Sequence, residues 1–466
     1  MSMMTTSAKR ILPGCLVRVI FGLSLTVESF AQSGTWTTKA PMPTPRCCSA
    51  VGAAEGVLYA IGGSQQPYFV DSVEAYDPAT DRWTRKSRIP RSCSGAGAGV
   101  IAGVIYVVGC PDSSSQPSAV YAYETKDDTW TLRAPLPTPR WGPAVAAVNG
   151  VLYAIGGEQN VGAHSGRVLN AVEAYDPRTD TWTSRAAIPT PRWLMAAAAT
   201  GGRIYVIGGV SDVNSATVSA ANEAYDPTTN TWSARAPIPT PRFGATAGVV
   251  AGQIYVVGGQ LNGDPRSVQP ISQAYDPVID SWTTSTPAQY ALVVSSAGVV
   301  DDLLYVVGGQ DAPSGLPVNT NQAFSPFLAV AIDIKPGDPR NTINLKSAGT
   351  VPVAILGSAT FDPMTVDPAT VTLAGAAVAT RGRGQPMTAV ADVNRDGYLD
   401  LLLHFRTQDL KLTPTSTEAV LYGETFSGQR LRGADPVRIV SFLSPRAPIG
   451  NPNPGKRNSR LGRPRL

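Results

Sequence analysis

The sequence predicts an all-β chain: six repeated units of four short strands arranged as a closed ring, followed by a smaller β-sandwich-like domain. Three observations predict it. An apolar octet ending in a glycine pair recurs, as GVLYAIGG ending at Gly63 and again at Gly157, GVIYVVGC at Cys110, GRIYVIGG at Gly209, GQIYVVGG at Gly259 and DLLYVVGG at Gly309. A Trp follows an aromatic residue by seven positions, from Tyr76 to Trp83, Tyr123 to Trp130, Tyr175 to Trp182, Tyr225 to Trp232 and Tyr275 to Trp282. Finally, 45 Gly and 40 Pro among 466 residues, with only 15% charged residues, make a turn-rich β composition.

Within each unit, four apolar or alternating runs are separated by Gly, Pro, Asn and Asp turn signals at strand-length spacing. In the third unit they fall at 143–148, 151–157, 171–176 and 181–185. No unit can bury both faces alone. Stacking the units around an axis solves this, with Tyr and Trp filling the space between sheets and Gly-Gly letting backbones approach closely. A period of about fifty residues carrying a diglycine, a Tyr and a Trp resembles the kelch repeat, which builds β-propeller blades. The resemblance covers 34–326 and implies a six-bladed kelch β-propeller. The sixth unit has its diglycine at Gly308 and Gly309 and an aromatic at Phe324 but no Trp after it, whereas Trp36 precedes the first diglycine with no unit before it. The segment SGTWTTKA at 33–40 is therefore expected to be the outer strand of blade 6. Closing the ring in this way removes the exposed sheet edges of an open array.

Before the propeller, 1–31 read as an export signal, with a basic start, an apolar run at 19–27 and small residues at Ser29 and Ala31. The run is too short to span a bilayer. The propeller is expected over 32–326, a C-terminal β domain over 327–441 and a basic tail over 442–466. The formal charge of +4 comes from the ends, which hold +2 and +6 and leave −4 for the core, so no nucleic-acid surface is expected. These features predict an exported chain, secreted, periplasmic or at the cell surface, without a transmembrane segment once mature and monomeric.

Each blade begins with a Pro-rich turn such as PIPTPR, whose last residue lies ten positions after the preceding Trp. The six residues are Arg46, Cys93, Arg140, Arg192, Arg242 and Leu292. Four arginines at one position allow two readings: a ring for an anionic ligand, since guanidinium forks bind carboxylates bidentately, or four pins holding each turn to a neighbouring blade. The next positions are Cys47, Ser94, Trp141, Trp193, Phe243 and Val293. Here Trp141 and Trp193 either stack on sugar rings near the opening or belong to the core.

Catalytic constellations are scarce. The chain has two histidines, His164 and His404, and no GxSxG, HExxH or P-loop. Kelch-fold copper oxidases need a Tyr, Cys and His set that is missing. Kelch proteins that epimerise sialic acid use Arg and Glu, which are present without a matched role. The mature chain would keep four of the five cysteines, Cys47, Cys48, Cys93 and Cys110, and these allow three pairings. A hairpin turning near Ala102 and Gly103 favours Cys93 with Cys110, leaving Cys47 and Cys48 free or oxidised to each other.

From about Val330 the repeat gives way to IDIKPGDPRNTINLKSAGTVPVAILG and, later, ADVNRDGYLDLLLHF and AVLYGETFSG. This text resembles a β-sandwich-like module appended to many secreted bacterial proteins. Within it Asp392, Asn394, Asp396 and Asp400 hold positions 1, 3, 5 and 9 of a DxNxDGxxD loop, with Gly397 sixth and the Tyr398 carbonyl seventh. Hard oxygens in a tight loop suit Ca²⁺, although Leu403 stands where a closing Glu would be. Two functions are carried forward: a non-catalytic binding protein for a glycan or an extracellular protein, and a carbohydrate-active enzyme using Arg and Glu in the propeller opening.

Overall fold

The computed structural model describes residues 34–111, 117–159, 166–212, 217–312 and 314–440. The export segment, His164 and the basic tail lie outside them. Among the described residues, six four-stranded antiparallel sheets repeat one topology, in which consecutive strands pair from the inside out. In blade 1 the strands are Ala50–Ala54, Val57–Ile61, Val73–Asp77 and Arg82–Lys86. Blade 3 has Ala144–Val148, Val151–Ile155, Val172–Asp176 and Thr181–Ser184, within two residues of the runs read from the sequence. Blade 6 has Ser296–Val300, Leu303–Val307 and Asn321–Ser325, and its outer strand is Thr35–Thr38. Trp36 stands opposite Phe324 in that pairing. The inner strand of each blade packs on that of the next, and the sixth packs on the first, so the ring closes.

The strand burial follows the position of each strand in the ring. The inner strands of blades 1, 3 and 5 alternate buried and half-buried residues, and the small side chains of inner strands (AVGAA, AVAAV, AAAAT) let six backbones converge on one axis. Second and third strands are buried along most of their length because neighbouring blades cover both faces. Outer strands are mostly exposed except for their Trp.

Three devices tie each blade to its neighbours. The Trp indole donates to a carbonyl just past the outer strand of the preceding blade, as from Trp83 to Ala40 (2.8 Å), Trp182 to Ala134 (2.9 Å) and Trp36 to Thr286 (2.9 Å). Its ring also tilts against the Tyr of its own third strand at 4.7 to 5.2 Å between centroids. The residue five after that Tyr, Asp180 in blade 3, accepts from the Tyr175 hydroxyl (2.6 Å) and from the Ala134 N–H of the preceding blade (3.0 Å). The diglycine meets the following blade: Gly63 N–H donates to the Cys93 carbonyl, and a Cβ on Gly62 would lie 2.3 Å from that oxygen. Gly62 and Gly63 also have φ of 60° and 108°, so only glycine serves both demands.

Past Ser325 the chain forms two further sheets. One contains Leu328–Ala329, Arg430–Pro436, Glu418–Thr425, Val366–Leu373 and Ala376–Ala377; the other contains Ile332–Ile334, Thr350–Ile355, Asp400–Arg406 and Thr388–Ala391. Ile334, Val353, Leu373, Leu403, Phe405, Leu421 and Leu431 fill the space between them. This region meets the propeller at inner-hairpin turns: the Tyr422 hydroxyl donates to Asp302, and the Tyr422 ring lies 5.4 Å from that of Phe327.

Candidate functional site

The end of the propeller away from those turns carries the Pro-rich turns and the loops between second and third strands. At its centre lies a channel mouth of about 170 Å³, lined by Cys48, Gly95, Gly142, Leu194, Gly244 and Val294 together with the residues that follow them. These six residues occupy one repeat position, and all have φ between 47° and 70°. That conformation turns their peptide groups around the axis, where they hydrogen-bond from blade to blade. Cys48 donates to Val294 (3.0 Å), Val294 to Gly244 (2.8 Å), Gly244 to Leu194 (2.9 Å), Gly142 to Gly95 (3.0 Å) and Gly95 to Cys48 (2.9 Å). Glycine at three of the six positions was the one signal in the sequence for this backbone girdle.

The four repeated arginines do not face this opening. Arg46, Arg140, Arg192 and Arg242 are at most 1% exposed. Arg192 donates to Glu223 (2.5 Å), to the Gly208 carbonyl (2.7 Å) and to the Ala221 carbonyl (2.9 Å), all within its own blade. Arg140 pairs with Glu173 (2.7 Å), Arg46 with Glu74, and Arg242 with the neutral Gln273. Burial lowers the pKa of each guanidinium, and in Arg46, Arg140 and Arg192 the Glu partner acts against that shift. The ligand-ring reading is corrected accordingly: guanidiniums sealed inside their blades cannot reach an anion at the surface, and the donors left unpaired, Arg140 Nε and Nη1 and Arg242 Nε, are themselves buried. The pinning reading changes too. The side chain braces its own blade, whereas the backbone carbonyl is what the preceding blade's diglycine grips, as Gly157 N–H grips the Arg192 carbonyl at 2.9 Å.

Blade 2 has no Arg at this position and uses a covalent bond. Cys93, in the Arg place, is bonded to Cys110, in the place of the second Gly of the diglycine. Cys47 and Cys48 are free.

Around the mouth, Trp141 and Trp193 are half-buried, between the stacking and the core readings. Trp141 pairs with Glu158 in an isolated β-bridge, and Trp193 with Val210 in the same way. The Trp141 ring also meets Phe69 at 5.9 Å between centroids. Phe69 and its neighbour Tyr68, in the blade 1 loop, are 46% and 75% exposed, and no sequence pattern had singled them out. With half-buried Phe243, they form a broken aromatic rim.

In the loop after Ala391, side-chain oxygens turn inward onto the loop's own amides. Asp392 accepts from Asp396 and Gly397 N–H (both 3.1 Å), Asn394 from Asp396 N–H (3.1 Å), and Asp396 from Tyr398 N–H (2.9 Å). Asp400 does not join them: fully buried, it accepts from Gly357 and Val393 N–H, each at 2.8 Å. Among the described residues, no three His, Cys, Asp or Glu side chains stand close enough together to hold a metal ion. The five-residue donor set read from the sequence is thus reduced to Asp392, Asn394 and Asp396, with the Tyr398 carbonyl beside them.

The family models that match are the KLHDC2/KLHL20/DRC7 Kelch-repeats domain over residues 132–309 and the Kelch motif over residues 45–88. Alpha-scruin of Limulus polyphemus is 40% identical over 50 residues, which are 11% of this chain and 5% of that protein. Kelch-like protein 1 of Mus musculus is 46% identical over 46 residues, 10% of this chain and 6% of that protein. The chain thus spans only a small fraction of the curated relatives it matches. The solved structure of YjhT is similar with a TM-score of 0.53 at 17% identity, covering 62% of this chain and 97% of that one, which is a likeness of fold. Among the described residues, no helix is long and apolar enough to cross a membrane. With its repeats, its ring of four-stranded blades and these matches, the chain is a kelch-repeat protein with a β-propeller fold.

Proposed function

We propose that this chain is an exported, non-catalytic binding protein that takes a glycan or an extracellular protein on the propeller face around the channel mouth. The observation that carries this reading is the aromatic rim: Tyr68 and Phe69 stand exposed beside half-buried Trp141, with Trp193 and Phe243 further round. Aromatic rings present apolar faces with polar edges, which suits both sugar rings and protein side chains. The alternative, a carbohydrate-active enzyme using Arg and Glu in the opening, has less support, because the repeated Arg and Glu are spent on each other in the blades.

Calcium is part of the proposal for the C-terminal region. Asp392, Asn394 and Asp396 would hold the ion with the Tyr398 carbonyl and water, and Asp400 would anchor the loop from behind. Bound there, the ion would relieve the repulsion of the clustered carboxylates.

The test is a glycan array and a pull-down from extracellular material, run with the whole chain and with a Tyr68→Ala, Trp141→Ala double variant, alongside a reducing-sugar assay. Stoichiometric binding lost in the double variant supports the reading. Turnover of a bound saccharide would replace it with the enzymatic one.

A further inference from the structure

The channel mouth holds two adjacent thiols. Cys47 is buried and Cys48 is half-buried, lining the channel, with their sulfurs 3.2 Å apart. Each belongs to a different part of the ligand face. Cys48 is a link of the axial girdle, donating to the Val294 carbonyl and accepting from Gly95 N–H with φ of 59°. Cys47 pairs with Ser64 through both of its backbone groups, at 3.1 and 2.9 Å. Ser64 in turn pairs with Phe69, whose ring meets Trp141. The dipeptide therefore joins the girdle to the loop that carries Tyr68 and Phe69.

We propose that Cys47 and Cys48 form a redox-sensitive dithiol that a small-molecule disulfide oxidises to a bond within the dipeptide, and that this oxidation reshapes the ligand face. Cys48, open to the channel, attacks the small disulfide; its S–S bond breaks, and one thiol leaves carrying the Cys48 proton. The Cys47 sulfur then attacks the Cys48 sulfur of the mixed disulfide and expels the second thiol, which takes the Cys47 proton. Two electrons pass from the pair to the small disulfide, and two small thiols are released. The hydrogen bond from Cys48 favours Cys47 as the thiolate, the role the second step needs, while it disfavours ionisation of Cys48 and makes the first step the slow one.

The structural consequence follows from chain geometry. Adjacent Cα atoms across a trans peptide are about 3.8 Å apart, whereas an unstrained disulfide wants about 4.4 Å or more. The planar peptide fixes that spacing, so forming the bond must twist the peptide between Cys47 and Cys48 and reset the torsions on either side of it, and their four hydrogen bonds to Val294, Gly95 and Ser64 lie on that backbone. A strained bond of this kind is easily reduced, so the change is reversible.

The test uses the whole chain and oxidised glutathione. After acid quenching, alkylation and tryptic digestion, Cys47 and Cys48 fall in peptide 47–82 without another cysteine, and Cys93 and Cys110 fall together in peptide 92–126. The expected result is that peptide 47–82 loses two hydrogens and resists alkylation, and that dithiothreitol reverses this. Cys47→Ser should stop at a glutathione adduct on Cys48. Native hydrogen exchange should show the Gly95 amide losing protection on oxidation. Persisting free thiols in peptide 47–82, or a lasting adduct in the unaltered chain, would overturn the dithiol. Unchanged Gly95 protection after oxidation would overturn its coupling to the face. The unaltered chain decides both points even where Cys47→Ser does not fold.

Discussion

Trp36 packs against Phe324, 4.9 Å between ring centroids, across nearly the whole length of the propeller sequence. The first described strand thereby becomes the outer edge of the last blade, and the Trp36 indole reaches Thr286 in blade 5. Removing 33–40 should lower stability by several kcal/mol, about what the loss of a large aromatic from a packed site plus a strand implies. Trp36→Ala alone should cost about 3 kcal/mol or somewhat less, since its ring is only half-buried. Urea unfolding measures both, and an unchanged midpoint for the deletion would refute closure by this strand.

Arg192 and Glu223 are a buried pair, and breaking one side leaves an uncompensated charge. Arg192→Ala or Glu223→Gln should each destabilise the chain by about 3 to 5 kcal/mol. Replacing both with apolar residues, Arg192→Met with Glu223→Leu, should recover most of that loss. Blade 6 already does without the charge pair, with Leu292 at the Arg position and Gln322 at the Glu position. A double variant as damaged as the singles would count against this account.

Asp81, Asp180 and Asp280 each accept from a Tyr hydroxyl and from a backbone amide of the preceding blade, and these bonds hold the carboxyl below its usual range. A depressed folded-state pKa contributes stability that is present above about pH 4 and is lost as pH falls through the folded value. The melting temperature should therefore drop as the pH falls below about 5. Blade 4 carries Asn230 here and keeps both hydrogen bonds, from Tyr225 and Ala186. Asp180→Asn should accordingly fold at neutral pH and show a shallower acid loss; an unaltered pH profile would remove Asp180 from the explanation.

The Cys93–Cys110 bridge spans 17 residues and takes the place of the Arg brace in blade 2. Loop entropy assigns a bridge of that span about 3 kcal/mol. Dithiothreitol, or Cys93→Ala with Cys110→Ala, should lower the urea midpoint accordingly. Non-reducing peptide mapping must find the bond inside peptide 92–126; a Cys48 to Cys93 link would contradict it.

Calcium at the loop of Asp392, Asn394 and Asp396 should be weak, about 10⁻⁴ to 10⁻³ M, because neither a closing Glu nor Asp400 completes the shell. Calcium that binds only the folded form raises its stability by mass action. Melting curves of the whole chain in millimolar calcium and in EGTA should differ, and the difference should vanish in Asp392→Ala. Superimposable curves for the unaltered chain would leave the loop an acidic turn.

The sequence alone determined the repeats, and through them the blades and the strand that closes the ring, and it favoured the Cys93–Cys110 bridge that the structure contains. These depend on local periodicity and on spacing within a unit, which a single chain displays directly: the octet, the diglycine, and a Trp seven residues after a Tyr. Only the tertiary structure decided which way the repeated side chains face. Arg192 and Trp193 are neighbours in the chain, yet one is sealed in its blade by Glu223 and the other lies half-buried near the rim. Asp400 reads as one more oxygen of an acidic loop, but its carboxylate points back to Gly357, which is 43 residues away in sequence. The girdle through Cys48, Gly95, Gly142, Leu194, Gly244 and Val294 has no common side chain at all, because it is built from backbone groups that meet only when six blades share an axis. A repeat pattern records what every unit needs to fold, and the direction of a side chain or a peptide group is set by the neighbouring blade that packs against it.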